Sequence, residues 1–315
     1  MNFSNFLSVI VTLFLLLACG FVCRKLGIID TTASKKLSQL IISVGQPMLI
    51  ISALNNADYS AENLQIALWS TVIGFVLHTV LGLASFLICR KFKYSDIGKI
   101  FEFSLVFANV GFIGFPILDS IFGGGLGSFM GAFYVISFHL FIWTWGIFIL
   151  SRGRDDIKLT PKKILLNYGT VPVAIGVVIY LLKPIFVLPD AVGSFMNYLS
   201  GLCTPISVLI TGALIATVPI VSTLKNKRIY LHSALKLIVF PVAVCLLAKL
   251  CGLNDTYVLL CTIMAGLPSA STITMLSELY EIEPVYASQT VGVGSLLTTA
   301  TLPCVVLFAQ WVISL

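Results

Sequence analysis

Residues 107–120 read FANVGFIGFPILDS and residues 264–280 read MAGLPSASTITMLSELY, two proline-bearing stretches set inside apolar runs. Pro116 removes a backbone donor and clashes one turn back, and Gly111 and Gly114 relax the chain beside it. Gly266 and Pro268 do the same in the second stretch. In hydrocarbon each unpaired N–H or C=O costs several kcal/mol, so a broken helix persists only inside protein or beside a water-filled cavity. One such proline is ordinarily a kink. A pair at equivalent positions of two halves points instead to a transport site, where freed helix ends converge on one small volume. Helix N-termini there carry about half a positive charge each and several free N–H groups, which suits a carboxylate.

The residues expected to hold that anion are Asn109, Val110, Gly111 and Pro116 in the first stretch, with Pro268, Ser269 and Ser271 in the second. Asn109, Ser269 and Ser271 can only hydrogen-bond. No Asp, Glu, Lys or Arg stands close to either break, and Asp119 and Glu278 lie a turn or more beyond, toward opposite membrane faces. The alternative is a cation/proton antiporter or a sodium-coupled symporter. An antiporter calls for a buried acid to carry its ion, and the sequence offers no obvious one. A second pair of interruptions, SVGQPMLIIS and GLCTPISVLITG, sets Pro47 against Thr204 and Pro205. These prolines either kink packing helices or line the site from the other side. His78, His139 and Lys236 are ionisable groups within apolar runs and the candidates for proton coupling. Lys236 stands about 12 Å of helix beyond Arg228, so its stem is expected to snorkel to the interface. His139 either relays a proton or hydrogen-bonds a neighbouring helix.

The elements that must position these residues are set by composition. Hydrophobic residues make up 58% of the chain and charged residues 10%, with a mean hydropathy of +1.04. Soluble domains carry about 25% charged residues, so this chain presents its surface to lipid. A crossing needs roughly 20 apolar residues. Such stretches fall at 5–23, 35–54, 64–89, 99–120, 126–150, 164–186, 192–217, 229–250, 256–279 and 285–313. They lack the alternation of barrel strands. The net charge of +6 resides in short loops, with no basic run interleaved with aromatics, so nucleic acid is not an expected partner. Basic loops alternate along the chain: Arg24, Lys25, Lys35 and Lys36; then Arg90, Lys91, Lys93 and Lys99; then SRGRDDIKLTPKK; then Lys225, Lys227 and Arg228. The positive-inside rule puts these in the cytoplasm and both termini outside, in a multi-pass protein of the plasma membrane. SELYEIEP is the one acidic loop on the basic side.

Displacing the chain by about 158 residues lays the first five spans on the second five, the periodicity of an internal repeat. Pro47 then meets Pro205, His78 meets Lys236, and LDSIFG at 118–123 meets LSELYE at 276–281. An odd number of spans per half inverts the second copy, a hallmark of secondary transporters. The expected fold is an all-α integral membrane protein of ten transmembrane helices. Two inverted five-helix repeats, 1–150 and 164–315, flank a cytoplasmic linker at 151–163, with broken helices crossing in the fourth and ninth spans. The eight cysteines have neither C-x-x-C nor zinc-ligand spacing and read as small packing residues. Gly123–Gly125 lacks the Lys and hydroxyl of a phosphate loop, and no H-E-x-x-H or G-x-S-x-G motif occurs. No cofactor, metal or enzymatic activity is expected.

Over essentially its whole length the chain resembles the auxin efflux carrier family, which includes plant PIN carriers and bacterial malate permease-like proteins. GFVCRKLGIIDTTASKKLSQLIISVGQPMLIISAL is similar to that family's first two spans, NVGFIGFPIL to its fourth-span crossover, AGLPSASTITMLSELYE to its ninth, and TPISVLITGALIA to its seventh. The resemblance implies a scaffold of spans one, two, six and seven, and a mobile domain of spans three to five and eight to ten. A small carboxylate would move between them by an elevator-like shift, with membrane lipid and a second copy, joined through the scaffold, as further partners. It places Asn109 at the crossover asparagine, Pro116 and Pro268 at the crossover prolines, and Asn167 at a polar position opening span six. Plant carriers have a second proline where this chain has Thr274, and a long central loop where this chain has a short one. Auxin itself is therefore not carried over.

Overall fold

The computed structural model describes residues 3–123, 125–154, 166–218, 223 and 225–315. These residues are helical and irregular, and none lies in a named β-strand. Most of the central linker, residues 155–165, lies outside the described residues, as does Gly124 of the glycine turn.

Among the described residues twelve helices follow in chain order. Helix α1 spans Phe3–Lys25, ending on Arg24 and Lys25. Helix α2, Thr31–Asn56, starts where the Asp30 carboxylate accepts the Ala33 N–H. Helix α3, Ala61–Cys89, is capped by Ser60, and α4, Asp96–Val106, by Ser95. After a break come α5, Val110–Phe122, and α6, Leu126–Ser151. The second half holds α7, Thr170–Leu182; α8, Asp190–Ile215; and α9, Lys227–Leu250. It ends with α10, Asp255–Gly266; α11, Thr272–Leu279; and α12, Pro284–Ser314. Among the described residues seven helices are long and apolar enough to cross a membrane, with α5, α7 and α10 shorter apolar ones. The protein is a multi-pass membrane protein.

Local chemistry explains the irregularities. Wide π turns at Ile41–Gly45, Val110–Gly114 and Leu235–Val239 each precede a proline, Pro47, Pro116 and Pro241. Proline cannot donate to the carbonyl one turn back and its ring pushes against it. A π turn widens the backbone at that point and keeps the helix continuous. Pro47 therefore leaves α2 unbroken. Pro205 falls in the first turn of the α8 segment Cys203–Ile215, where an N–H would have no intrahelical acceptor anyway.

Packing follows the rule for lipid solvents, with large residues outside and small or polar ones between helices. On α3 the buried face carries Ser70, Gly74, His78, Gly82 and Ser85, while Leu68, Val72, Val76, Leu83 and Leu87 face outward. Helices α1 and α8 meet through reciprocal glycines. A Cβ on Gly20 would strike the Leu209 backbone, and one on Gly212 would strike that of Leu17. The most extensive contacts join α1 to α8, α2 to α7 and α8, α3 to α6, and α9 to α10. Lone lysines tie helix ends together: Lys183 Nζ donates to the Ala57 carbonyl at 2.5 Å and Lys249 Nζ to that of Ile313 at 3.0 Å.

Candidate functional site

The two breaks touch. After α4 ends at Val106 the chain runs extended, and Phe107–Asn109 lies antiparallel to Pro268–Ala270. Asn109 N–H donates to the Pro268 carbonyl at 2.8 Å and Ala270 N–H to the Phe107 carbonyl at 2.9 Å. This short pairing satisfies backbone groups that a break would leave bare in an apolar interior. Ser269 Oγ, fully buried, donates to the Ser104 carbonyl at 3.0 Å and ties the second break to the end of α4. Asn109 Nδ2 reaches Ser271 Oγ at 3.4 Å. The Asn109 carbonyl accepts Ile113 N–H at 3.3 Å and Gly114 N–H at 3.2 Å, seating the π turn that opens α5.

Beside this junction lies a cavity of about 740 Å³. Its inner wall includes Phe112 at the start of α5 and Ser271 and Thr272 at the start of α11. The helix N-termini that border it leave their first N–H groups without intrahelical acceptors. Gln46, His139, Asn167, Ser207, Thr211 and Thr274 also line it, and Arg24, Lys35 and Glu278 line it beyond them. Gln46 Nε2 stands 3.3 Å from His139 Nε2; with an amide as donor, that ring nitrogen is the acceptor. Gly169 packs directly against the His139 ring, where a side chain would collide.

Of the residues singled out from sequence, Ser271, Asn167 and His139 line the cavity. Asn167 Oδ1 accepts Gly169 N–H at 2.9 Å and Thr170 N–H at 3.0 Å, so it opens α7 as a cap. Asn109 is buried in the junction and positions it. Val110, Pro268 and Ser269 belong to the junction and Pro116 lies two residues past its π turn; none of the four lines the cavity. A Cβ on Gly111 would lie 3.8 Å from Gln46 Nε2, which puts that glycine next to the lining. Pro47 is buried behind Gln46, while Thr204 and Pro205 stand outside the cavity with Pro205 exposed. His78 lies on the far side, its Nδ1 2.7 Å from the Gly74 carbonyl and 3.2 Å from Ser137 Oγ, in a nest of aromatic rings.

Two expectations need correction. Lys236 does not snorkel; it is buried, and its Nζ donates to the Leu105 carbonyl at 2.9 Å, at the broken end of α4. A buried acid does exist. Glu102 on α4 is fully enclosed, but Arg152 grips it with two hydrogen bonds of 2.5 and 2.8 Å, so its charge is already matched by a guanidinium. Asp119 accepts the Ser128 N–H at 2.7 Å and also the Ser128 hydroxyl, tying α5 to the first turn of α6.

Sequence reasoning passed over Gln46, Ser207 and Thr211. The signal for Gln46 was its place directly before Pro47, where a π turn swings it inward. Ser207 and Thr211 recur one turn apart on α8 and both line the cavity.

Residues 6–306 match the family described as membrane transport protein. An uncharacterized transporter of Methanothermobacter thermautotrophicus is 22% identical over 314 residues, covering 96% of this chain and 98% of its own length.

Proposed function

From the premise that the chain belongs to the membrane transport protein family, the auxin efflux carrier family of the sequence reading, we propose that it is a secondary transporter of a small organic anion. The substrate class is a mono- or dicarboxylate, moved by alternating access. The observation that carries this reading is the pairing of Phe107–Asn109 with Pro268–Ala270 beside a cavity of about 740 Å³. One carboxylate group would sit against the first N–H groups of α5 and α11, with Ser271 and Gln46 as hydrogen-bond partners and His139 and Thr211 around it. Arg24 and Lys35 would draw anions in.

Helix bounds support an inverted repeat of ten spans. Under a displacement of about 158 residues, Thr31–Asn56 falls on Asp190–Ile215 and Asp96–Val106 on Asp255–Gly266. Likewise Val110–Phe122 falls on Thr272–Leu279, and Leu126–Ser151 on Pro284–Ser314. Contacts support the division into α1, α2, α7 and α8 as scaffold and the rest as the moving body. The scaffold helices pack on one another, and α3–α6 and α9–α12 do the same. An elevator shift of the second body would carry the junction past the scaffold, with the cavity facing the cytoplasm in this state and the termini outside. The antiporter alternative is less favoured because Glu102 is already bound to Arg152.

The test is counterflow of labelled malate, lactate and indole-3-acetate in proteoliposomes. Wild type should exchange at least one of them. Asn109→Ala, which loosens the junction, should lower the rate about 100-fold, as misplacement of a site by about 1 Å does. Gln46→Ala should raise the half-saturating concentration about tenfold, the worth of one hydrogen bond near 1.4 kcal/mol. Wild-type kinetics in Asn109→Ala would remove the junction from the mechanism.

A further inference from the structure

Resting on the carboxylate reading, we propose that Lys236 and His232 form a proton-binding site, so that the carboxylate crosses together with a proton. Lys236 sits in the π turn of α9 and donates to the Leu105 carbonyl, one of the last acceptors of α4. It makes no ion pair among the described residues. His232 lies one turn earlier on the same face, fully enclosed, its ring making no well-formed hydrogen bond although the Ser104 backbone stands beside it. Its ring stands edge-on to Phe101, 5.2 Å between centroids. Ser104 Oγ and Ser233 Oγ are likewise buried without partners. One turn before His232 comes Arg228, which is exposed. Arg228, His232 and Lys236 thus form a ladder along one face, each rung about 6 Å of helix, leading from the aqueous end of α9 to the break.

The groups around Lys236 leave it open to titration. Helix α4 brings Glu102, held by Arg152, and Lys99, held by Asp96 at 2.9 Å. The other helices packed on this turn, α10 and α12, carry Cys261 and Tyr286, both buried. The ionisable groups in electrostatic reach of Lys236 are His78 on α3 and His232. An ammonium held by one carbonyl, with no carboxylate opposite, can lose its proton without stranding a negative charge. Lys236 touches one side of the broken backbone and the cavity touches the other. Across about one helix diameter, ~10 Å, at an effective dielectric near 20, its positive charge favours an anion about tenfold. By reciprocity the anion favours the proton equally. Loading would add a proton to Nζ by way of His232 on one side of the membrane. Release of the carboxylate on the other side would let Nζ give it up, so a monoanion and its proton move with no net charge.

The experiment uses proteoliposomes enclosing a pH-sensitive dye, with malate, lactate and indole-3-acetate as probes. Counterflow at equal pH reports carboxylate transport alone. Net uptake under an inward proton gradient and lumen acidification report coupling. Wild type should show about tenfold stimulation by the gradient and acidification on addition of the transported probe. Lys236→Gln should lose both while retaining measurable exchange. Lys236→Arg, which keeps the charge and does not release a proton, should lose acidification. His232→Asn should slow it. These last two carry the test if Lys236→Gln is not monodisperse on size exclusion. Counterflow without any movement of lumen pH in wild type, or wild-type acidification in Lys236→Gln and Lys236→Arg, overturns the coupling and leaves the carrier standing. No counterflow of any probe ends both.

Discussion

Two buried cations meet α4 about one turn apart, at Glu102 and at Leu105, and are treated in opposite ways. Arg152, at the end of α6, forks onto Glu102 and is sandwiched by the rings of Phe86 and Phe148 at 5.4 and 5.0 Å. Every favourable device for a guanidinium is present: a bidentate carboxylate, aromatic faces and exclusion of water. Lys236 has a single carbonyl and the negative end of a helix dipole. The first charge is sealed and joins α3, α4 and α6 into one body. The second is kept at the break with nothing to neutralise it. A chain that can bury a complete ion pair and yet leaves a lysine half-satisfied beside its broken helices separates structure from work.

The largest effect expected is on the sealed pair. Glu102→Ala leaves a buried guanidinium without its partner and should cost about 3–5 kcal/mol, read as a lower melting temperature of the purified protein. The double variant Glu102→Leu, Arg152→Met should regain most of that loss, because apolar residues of similar size replace both charges. Arg152→Lys keeps the charge and loses the fork, and should cost about 1.5–3 kcal/mol. Smallest is Lys236→Met, expected to stay within about 1 kcal/mol of wild type or above it, since it removes a desolvated charge that has no ion partner. If Lys236→Met melts as far below wild type as Glu102→Ala, the two cations are equivalent and Lys236 is a structural tie.

The two breaks teach a related lesson about what can be read from a chain. Their existence was visible in Gly111, Pro116, Gly266 and Pro268. Their role assignments were less so. An amide in an apolar run marks Asn109 as a candidate ligand; its side chain turns toward Ser271, which lines the cavity, and its backbone toward Pro268. Gln46 and Thr211, which line the cavity, stand in the SVGQPMLIIS and GLCTPISVLITG interruptions, yet the prolines there draw the eye and the polar neighbours do not. The direction in which a helical side chain points is set by a π turn or a neighbour, and neither leaves a mark at the residue itself.

The sequence alone determined the solvent, the helical class and the places where helices must fail, because these depend on composition, run length and proline, all properties of neighbours along the chain. The partners of buried charges were decided only in three dimensions. Glu102 and Arg152 meet across the break and two further helices, and Lys236 reaches Leu105 from the other half of the protein. Whether a charge in a membrane is neutralised or left available is settled by such distant contacts, since a few ångströms decide whether Coulomb attraction offsets the cost of leaving water.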